Sequence, residues 1–325
     1  MKHLFTAFIG ILSLLLVLST SILHAQVRTK RFGQPQDLSA FGITSGNKQG
    51  TPTLSLSAID AAPLLLEDEA EAKLGRPFRF GLNRAVDVDI IGAAAQIEQN
   101  GYRTYSYQIT ADGAFSINLI FDRFQLKPGS KLYLYNSDRT MLIGPITDAQ
   151  NPKSGNPAGG EFWTDLVQGS TLLIDLQEPI ADGGRSELHL SSVIHAYKNL
   201  FPNTSKVNGA AGLCHPNMVC YPDYQFQGDG VAMILISEAQ RACTGSMVTD
   251  MRQSFRSFFL TAFHCVDNGD NSLSPGEITN AQNWLVRFNY QSTTCTPGVD
   301  DLDVMTLNGT TFRAGLSNSD FALLN

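Results

Sequence analysis

Past its first eighteen residues the sequence has no long apolar run, so no later segment reads as a membrane-spanning helix. It has no basic stripe either. Lys and Arg number 23 against 30 Asp and Glu, a formal net charge of −7, and nothing gathers the cations into a nucleic-acid surface. Mild acidity bears on solubility rather than on choice of partner. Internal repeats of useful strength are absent. No cysteine precedes position 214, and His189, His195 and His215 show no metal-ligand spacing. Neither a metal nor another cofactor is expected.

What is present begins with an export signal. Met1, Lys2 and His3 give a short basic start, Leu4 to Leu18 is almost wholly apolar, and Leu23-His24-Ala25 ends on a small residue. Residues 1–25 are therefore expected to be a cleaved signal peptide, too short and wrongly flanked for an anchor, and the mature protein to be secreted. Export makes disulfides the default state of the five cysteines, which all lie between Cys214 and Cys295. Five is odd, so one thiol is expected to lack a partner in this chain. The sequence stops at "SNSDFALLN", within an apolar run, whereas natural termini favour polar stretches. The expectation is a truncated sequence.

About 300 residues after the signal suffice for two domains. Residues 26–100 read as a leader of low order, poor in aromatics up to about position 63, with a short helix over Leu64–Leu74. From Tyr102 the period becomes two. "YRTYSYQI", "AFSINLIF", "KLYLYN", "MLIGPI", "STLLIDL" and "ELHLSSVIHAY" alternate with turns such as "ADG", "KPGS" and "NPKSGNPAGG". That pattern predicts a β-sandwich over 101–200. Residues 201–212 are polar and turn-prone, a linker or processing region. Strands then resume over 213–325 as "VAMILIS", "CTGSMVT", "SFFLTA", "NWLVRFNY" and "DFALL", so both regions read as all-β.

The chemistry concentrates at "FFLTAFHC". Serine hydrolysis needs a hydroxyl nucleophile, a base that titrates near neutrality, and a carboxylate that orients the base. His264 follows an apolar strand and immediately precedes Cys265. Cys243, in "CTGSMV", can bond to Cys265 and pin the turn that carries the imidazole, worth about 3 kcal/mol on the loop-entropy account. "SDFALL" places Asp320 just before another apolar strand. Taken singly, a strand-end histidine or a strand-capping aspartate is more often structural.

The motif pair "TAFHC" and "SDFALL" resembles the trypsin-like, double-β-barrel serine proteases. With "GLCHPNMVC", "ACTGSMV" and "FNYQSTTC", it is similar to their bacterial lysyl endopeptidase branch. "GSKLYLYNSD", "EFWTDLVQGSTLLIDLQEP" and "VIHAYKN" look like the propeptide region of such secreted enzymes, a looser likeness. The resemblance implies a β-sandwich-like prodomain followed by the first barrel of the protease, the second barrel being missing. It implies His264 as general base, Asp320 as its orienting partner, and polypeptides as substrates, cut after lysine. It also implies a Cys220–Cys295 bond, which leaves Cys214 as the odd cysteine. Lys206, the only basic residue between Lys198 and Cys214, then marks self-processing at Lys206–Val207, which would separate the protease from its own propeptide. One departure is Phe263, where a small residue or a second histidine is commoner.

The nucleophile is not found. In the family it follows the aspartate in a "GxSGxP"-like turn, and no such turn follows Asp320. "KSGNP" around Ser154 lies upstream, with Pro152 where the family has glycine, and reads as a surface turn; "SGNK" at Ser45 is weaker still. "DNGDNSLSPGE", from Asp267 to Glu277, misses the calcium-loop alternation at Gly269 and reads as an exposed insertion. Phe162 and Trp163 are expected in the core, and His195 as a strand residue. Two other classes remain open: a catalytically inactive homologue, and a secreted adhesion or carbohydrate-binding module.

Overall fold

Alternate residues of "YRTYSYQITA" carry the first structural decision. Tyr105, Tyr107, Ile109 and Ala111 all point inward from one strand, and the residues between them are part-buried. A period of two with one apolar face is the signature of a strand lying on a core. The computed structural model describes residues 26–41, 43, 50–152, 159–181, 183–201, 218–254, 256–267, 269–291, 295 and 303–325. The signal-peptide segment, Ser45, Ser154, Lys206, Val207, Cys214 and His215 lie outside the described residues.

Twenty strands are described, and the chain is mainly β. The first seven are β1 Val27–Arg31, β2 Thr53–Leu56, β3 Phe78–Arg79, β4 Gly81–Asp89, β5 Ala95–Gln99, β6 Tyr102–Ala111 and β7 Ser116–Gln125. Next come β8 Lys131–Asn136, β9 Met141–Ile146, β10 Gly160–Trp163, β11 Val167–Gln168, β12 Thr171–Pro179 and β13 Glu187–Ala196. After the connecting segment follow β14 Val231–Ile236, β15 Arg241–Val248, β16 Phe258–Thr261, β17 Leu285–Phe288, β18 Asp303–Asn308, β19 Phe312–Leu316 and β20 Phe321–Leu324. A smaller antiparallel sheet runs β10-β7-β13-β4, with β11 also on β7. The larger sheet is mixed, because β2 pairs with β6 in parallel. Its path is β19-β20-β16-β15-β14-β17-β18-β1-β9-β8-β12-β6-β2.

The first six residues of β7 are buried on both faces of the smaller sheet, which explains the continuous apolar run "SINLIF". Ile117, Leu119 and Phe121 of β7 face a core shared with β6, β8, β9 and β12. Ile120, one residue out of phase, joins a second core with Trp163, Ile194 and Ala196. That second core also takes in Ile234, Leu235, Phe259, Trp284 and Leu285 from beyond residue 218. Phe162 and Trp163 are both buried, and His195 is a buried residue of β13.

Two expectations need correcting. Residues 26–100 hold five strands rather than a leader of low order, and the short helix expected over Leu64–Leu74 is present as Ala61–Lys73. The reason is cover. Tyr133, Tyr135, Leu142 and Leu173 line the outer face of the larger sheet, and Leu38 and Ile43 bury against them. Composition misses this because few residues supply the contact. The helix is capped by Asp60, which accepts from the Ala62 N–H. It stops at Leu74, before Gly75 at φ 72°. None of its residues is buried; ion pairs from Asp68 to Arg79 and Lys198 and from Glu71 to Arg241 hold it in place.

The expected barrel is not formed either. Strands β14–β20 do not close into one among the described residues; they run on through β1 into the larger sheet. The outer edge of β18 is paired by β1, from the far end of the chain, and not by another strand of the same region.

Candidate functional site

Antiparallel register brings the site together. Strand β16 pairs with β20 as Phe259↔Leu324, Leu260↔Leu323 and Thr261↔Ala322. Followed past Thr261, the ladder runs into the residues just before Phe321, so the end of one strand meets the start of the other. A 3-10 turn, Phe263–Cys265, carries His264 off the end of β16. Asp320 stands at the start of β20 in the left-handed region, φ 48° and ψ 44°. Aspartate tolerates that conformation better than most residues, and it turns the carboxylate back over the histidine.

The contact is two-pronged. Asp320 Oδ2 lies 2.8 Å from His264 Nδ1, and Oδ1 accepts the His264 backbone N–H at 3.0 Å. A carboxylate can only accept, so in the neutral imidazole Nδ1 carries the hydrogen and Nε2 presents a lone pair. The backbone bond fixes the carboxylate independently of the imidazole. Burial pushes the Asp320 carboxyl up, but the hydrogen bonds from the His264 backbone and ring, with the imidazole's charge, outweigh it and hold the group below its usual value. Asp320 therefore stays ionised throughout the neutral range. Both side chains remain about half exposed, so the free nitrogen is open to an incoming group.

The turn is anchored from behind. Cys265 is bonded to Cys243 of β15. Phe263, which precedes His264 in the turn, is itself buried. Cys220 is bonded to Cys295, spanning 75 residues. The loop-entropy account gives about 3 kcal/mol for the first link and about 4 kcal/mol for the second. The sulfurs of Cys243 and Cys265 lie close to the ring of His264. Bonded to one another, they offer no thiolate to a metal.

Gly245 is a residue whose role the sequence did not disclose. It sits on β15 opposite Thr261 of β16. A methyl group there would overlap the Phe259 ring and stand 2.6 Å from the Leu260 carbonyl oxygen. The bare backbone lets β16, and the turn after it, approach closely.

The loop that follows the histidine is ordered by its own carboxylates. Asp267 is buried and accepts the N–H groups of Asp270 and Asn271. Ser274 and Glu277 form a capping box on the helix Pro275–Asn280.

The histidine and aspartate thus meet within a disulfide-pinned, mainly β region. Residues 208–325 match the family model for the lysyl endopeptidase C-terminal domain. That match associates the region with lysyl endopeptidases, which are serine proteases. It takes in His264, Asp320 and all five cysteines. Strands β1 to β13 lie outside it.

Among the described residues, no helix is long and apolar enough to cross a membrane. The smaller sheet carries another histidine contact that the sequence did not suggest. His189 Nδ1 lies 2.6 Å from Asp122 and Nε2 2.7 Å from Asp87. Both of its nitrogens are engaged, so it has no free lone pair for base catalysis.

Proposed function

We propose that this chain belongs to the precursor of a secreted serine endopeptidase. His264 acts as general base and Asp320 orients it. The β-sandwich-like region before residue 201 serves as the propeptide, and residues 213–325 supply the part of the protease domain that carries the base and its orienting carboxylate. The observation that carries this reading is the pair of hydrogen bonds that one carboxylate accepts from the ring and the backbone of His264, inside the segment that matches the lysyl endopeptidase model.

In that role Nε2 takes the proton of a serine hydroxyl as it attacks the scissile carbonyl, then returns it to the leaving amine. Asp320 keeps the Nδ1–H tautomer and stabilises the imidazolium. The serine and its oxyanion donors are not among these 325 residues in the order the family uses, after Asp320. The substrate is a polypeptide, cut after lysine, and Lys206–Val207 is the processing site. No metal or other cofactor enters the reaction.

Residues 26–325 alone are expected neither to cleave a lysyl amide nor to react with a phosphonylating serine reagent. A polypeptide that also carries the serine-bearing half should do both, and should lose both on His264→Ala. Stoichiometric labelling of residues 26–325 alone would overturn the assignment, as would full activity of the His264→Ala protein.

A further inference from the structure

The break in composition near residue 201 does not coincide with a break in packing. Phe80, Trp163, Ile194, Ala196 and Phe201 share one core with Ile234, Leu235, Trp284 and Leu285. Those two groups lie on opposite sides of the connecting segment. A surface this apolar resembles a domain core cut in half, as in obligate interfaces, rather than the polar contact of separable domains.

Two strands cross the same boundary. Strand β1 is antiparallel to β18 on one side, with Val27↔Thr306 and Thr29↔Val304, and to β9 on the other, with Thr29↔Ile143. It is the strand that turns two ladders into one. Strand β3 adds to β15 through Arg79↔Arg241 and Phe78↔Ala242, only a few residues before Cys243. Strand addition of this kind takes its strength from the main chain and its selectivity from alternate side chains. Here the inward pair is Val27 and Thr29, both buried, while Arg28 is exposed.

Beneath β1 lies a buried polar lock drawn from three separate stretches of the chain. Arg287 of β17 and Asp165, between β10 and β11, are 1% and 0% exposed, with Nε 2.9 Å from Oδ1. The N–H is not aimed along that line, so the contact is an ion pair more than a hydrogen bond. Thr29 Oγ1 donates to Asp165 Oδ2 at 2.6 Å, and the Leu166 N–H to Oδ1 at 2.8 Å. The Arg287 guanidinium also lies 4.6 Å from the Tyr290 ring centre. A buried charge is tolerated when paired and is costly once its partner is removed. Residues 26–201 hold the carboxylate, and the region after 218 holds the guanidinium.

We infer that residues 26–201 stay bound to residues 218–325 after the connecting segment is cut, and that strand β1 is the clasp. The edge of β18 and the guanidinium of Arg287 form the docking surface, and its occupant is the extended segment Val27–Arg31 with Asp165 beneath it. Cutting at a site such as Lys206 would then leave the two parts joined, and their separation would require β1 to be withdrawn. The inference rests on the precursor reading for its biological setting and on the interface alone for its test.

The test uses residues 26–325 with a site-specific protease sequence placed within 203–209. After complete cutting at about 1 μM, where a tight complex persists, both fragments should elute together at the position of the uncut chain. Asp165→Asn should weaken their association by about 100-fold or more, by stranding Arg287. Asp165→Leu combined with Arg287→Met should restore much of it, as buried pairs exchanged for apolar residues often do. A Cys pair made by Arg28→Cys with Met305→Cys, residues that face each other across β1 and β18, should join the cut fragments covalently. That readout remains decisive if the core variants fail to fold. Separation of the cut parental chain, or failure of the 28–305 pair to form the link, would overturn the inference. Neither outcome touches the roles of His264 and Asp320, because no activity is measured.

Discussion

Asp320→Asn, in a polypeptide that carries both this region and the serine-bearing half, is expected to lower kcat about 10⁴-fold with KM little changed. The side chains are nearly the same size, so packing around the turn is retained. An amide can still accept at one atom, but it can also present N–H to Nδ1, which drives the imidazole to its other tautomer. The lone pair then leaves Nε2, where the serine must be deprotonated. The backbone bond from His264 N–H to Oδ1 is a second reason for the size of the effect, since an amide that turns its nitrogen toward the ring need not keep its oxygen on the backbone. A kcat within tenfold of the parent would show that Asp320 is an ordinary strand cap. A raised KM with unchanged kcat would place it in substrate binding instead.

Gly245→Ala should be the most damaging single-methyl change near the site, costing about 3 kcal/mol in unfolding free energy, the upper part of the usual range for overpacking. Two neighbours resist the added carbon, the Phe259 ring and the Leu260 carbonyl oxygen, and the second belongs to the backbone of β16. A ring can rotate away, but the carbonyl cannot move without shifting the strand. Phe259→Leu in the same chain should therefore recover only part of the loss. Strand β16 leads into the turn at Phe263–Cys265, so its displacement should also lengthen the His264–Asp320 contact. Denaturant unfolding of the single and double variants decides the matter. A change below about 0.5 kcal/mol, the usual surface value, would contradict it.

The site was readable because each of its parts has a local marker. His264 sits at the end of an apolar strand and beside a cysteine, Asp320 at the start of another, and the spacing between Cys243 and Cys265 suits a closed loop. Antiparallel pairing of the two strands does the rest, and the register that joins Thr261 to Ala322 is not written in either segment alone. The strands of residues 102–197 were legible for the same local reason, alternation bounded by Gly, Pro and Asp turns.

The organisation between regions was less legible. "VRTKR" has three cations, Arg28, Lys30 and Arg31, and only one apolar residue, so nothing in it announces a strand between two others. Its pairing depends on partners more than a hundred positions away. Strand β3 is two residues long, below the reach of any periodicity. The single available hint was Arg287 within "NWLVRFNY". A cation inside a buried strand demands an anion, but the sequence does not say which of 30 acidic residues supplies it. A polar stretch such as 201–212 signals a boundary in composition, while the shared core ignores that boundary.

A base that works through Nε2 must hold its lone pair there, so the nitrogen of His264 that carries the proton decides its role. Nitrogen-15 NMR of residues 26–325 with labelled histidine, at a pH where His264 is neutral, measures this directly. The Nδ1–H tautomer is predicted, with a strongly downfield Hδ1 resonance that disappears in Asp320→Asn and persists in a control such as His189→Gln. A neutral His264 found mainly as the Nε2–H tautomer would contradict the assignment, since that nitrogen could not accept a proton from serine.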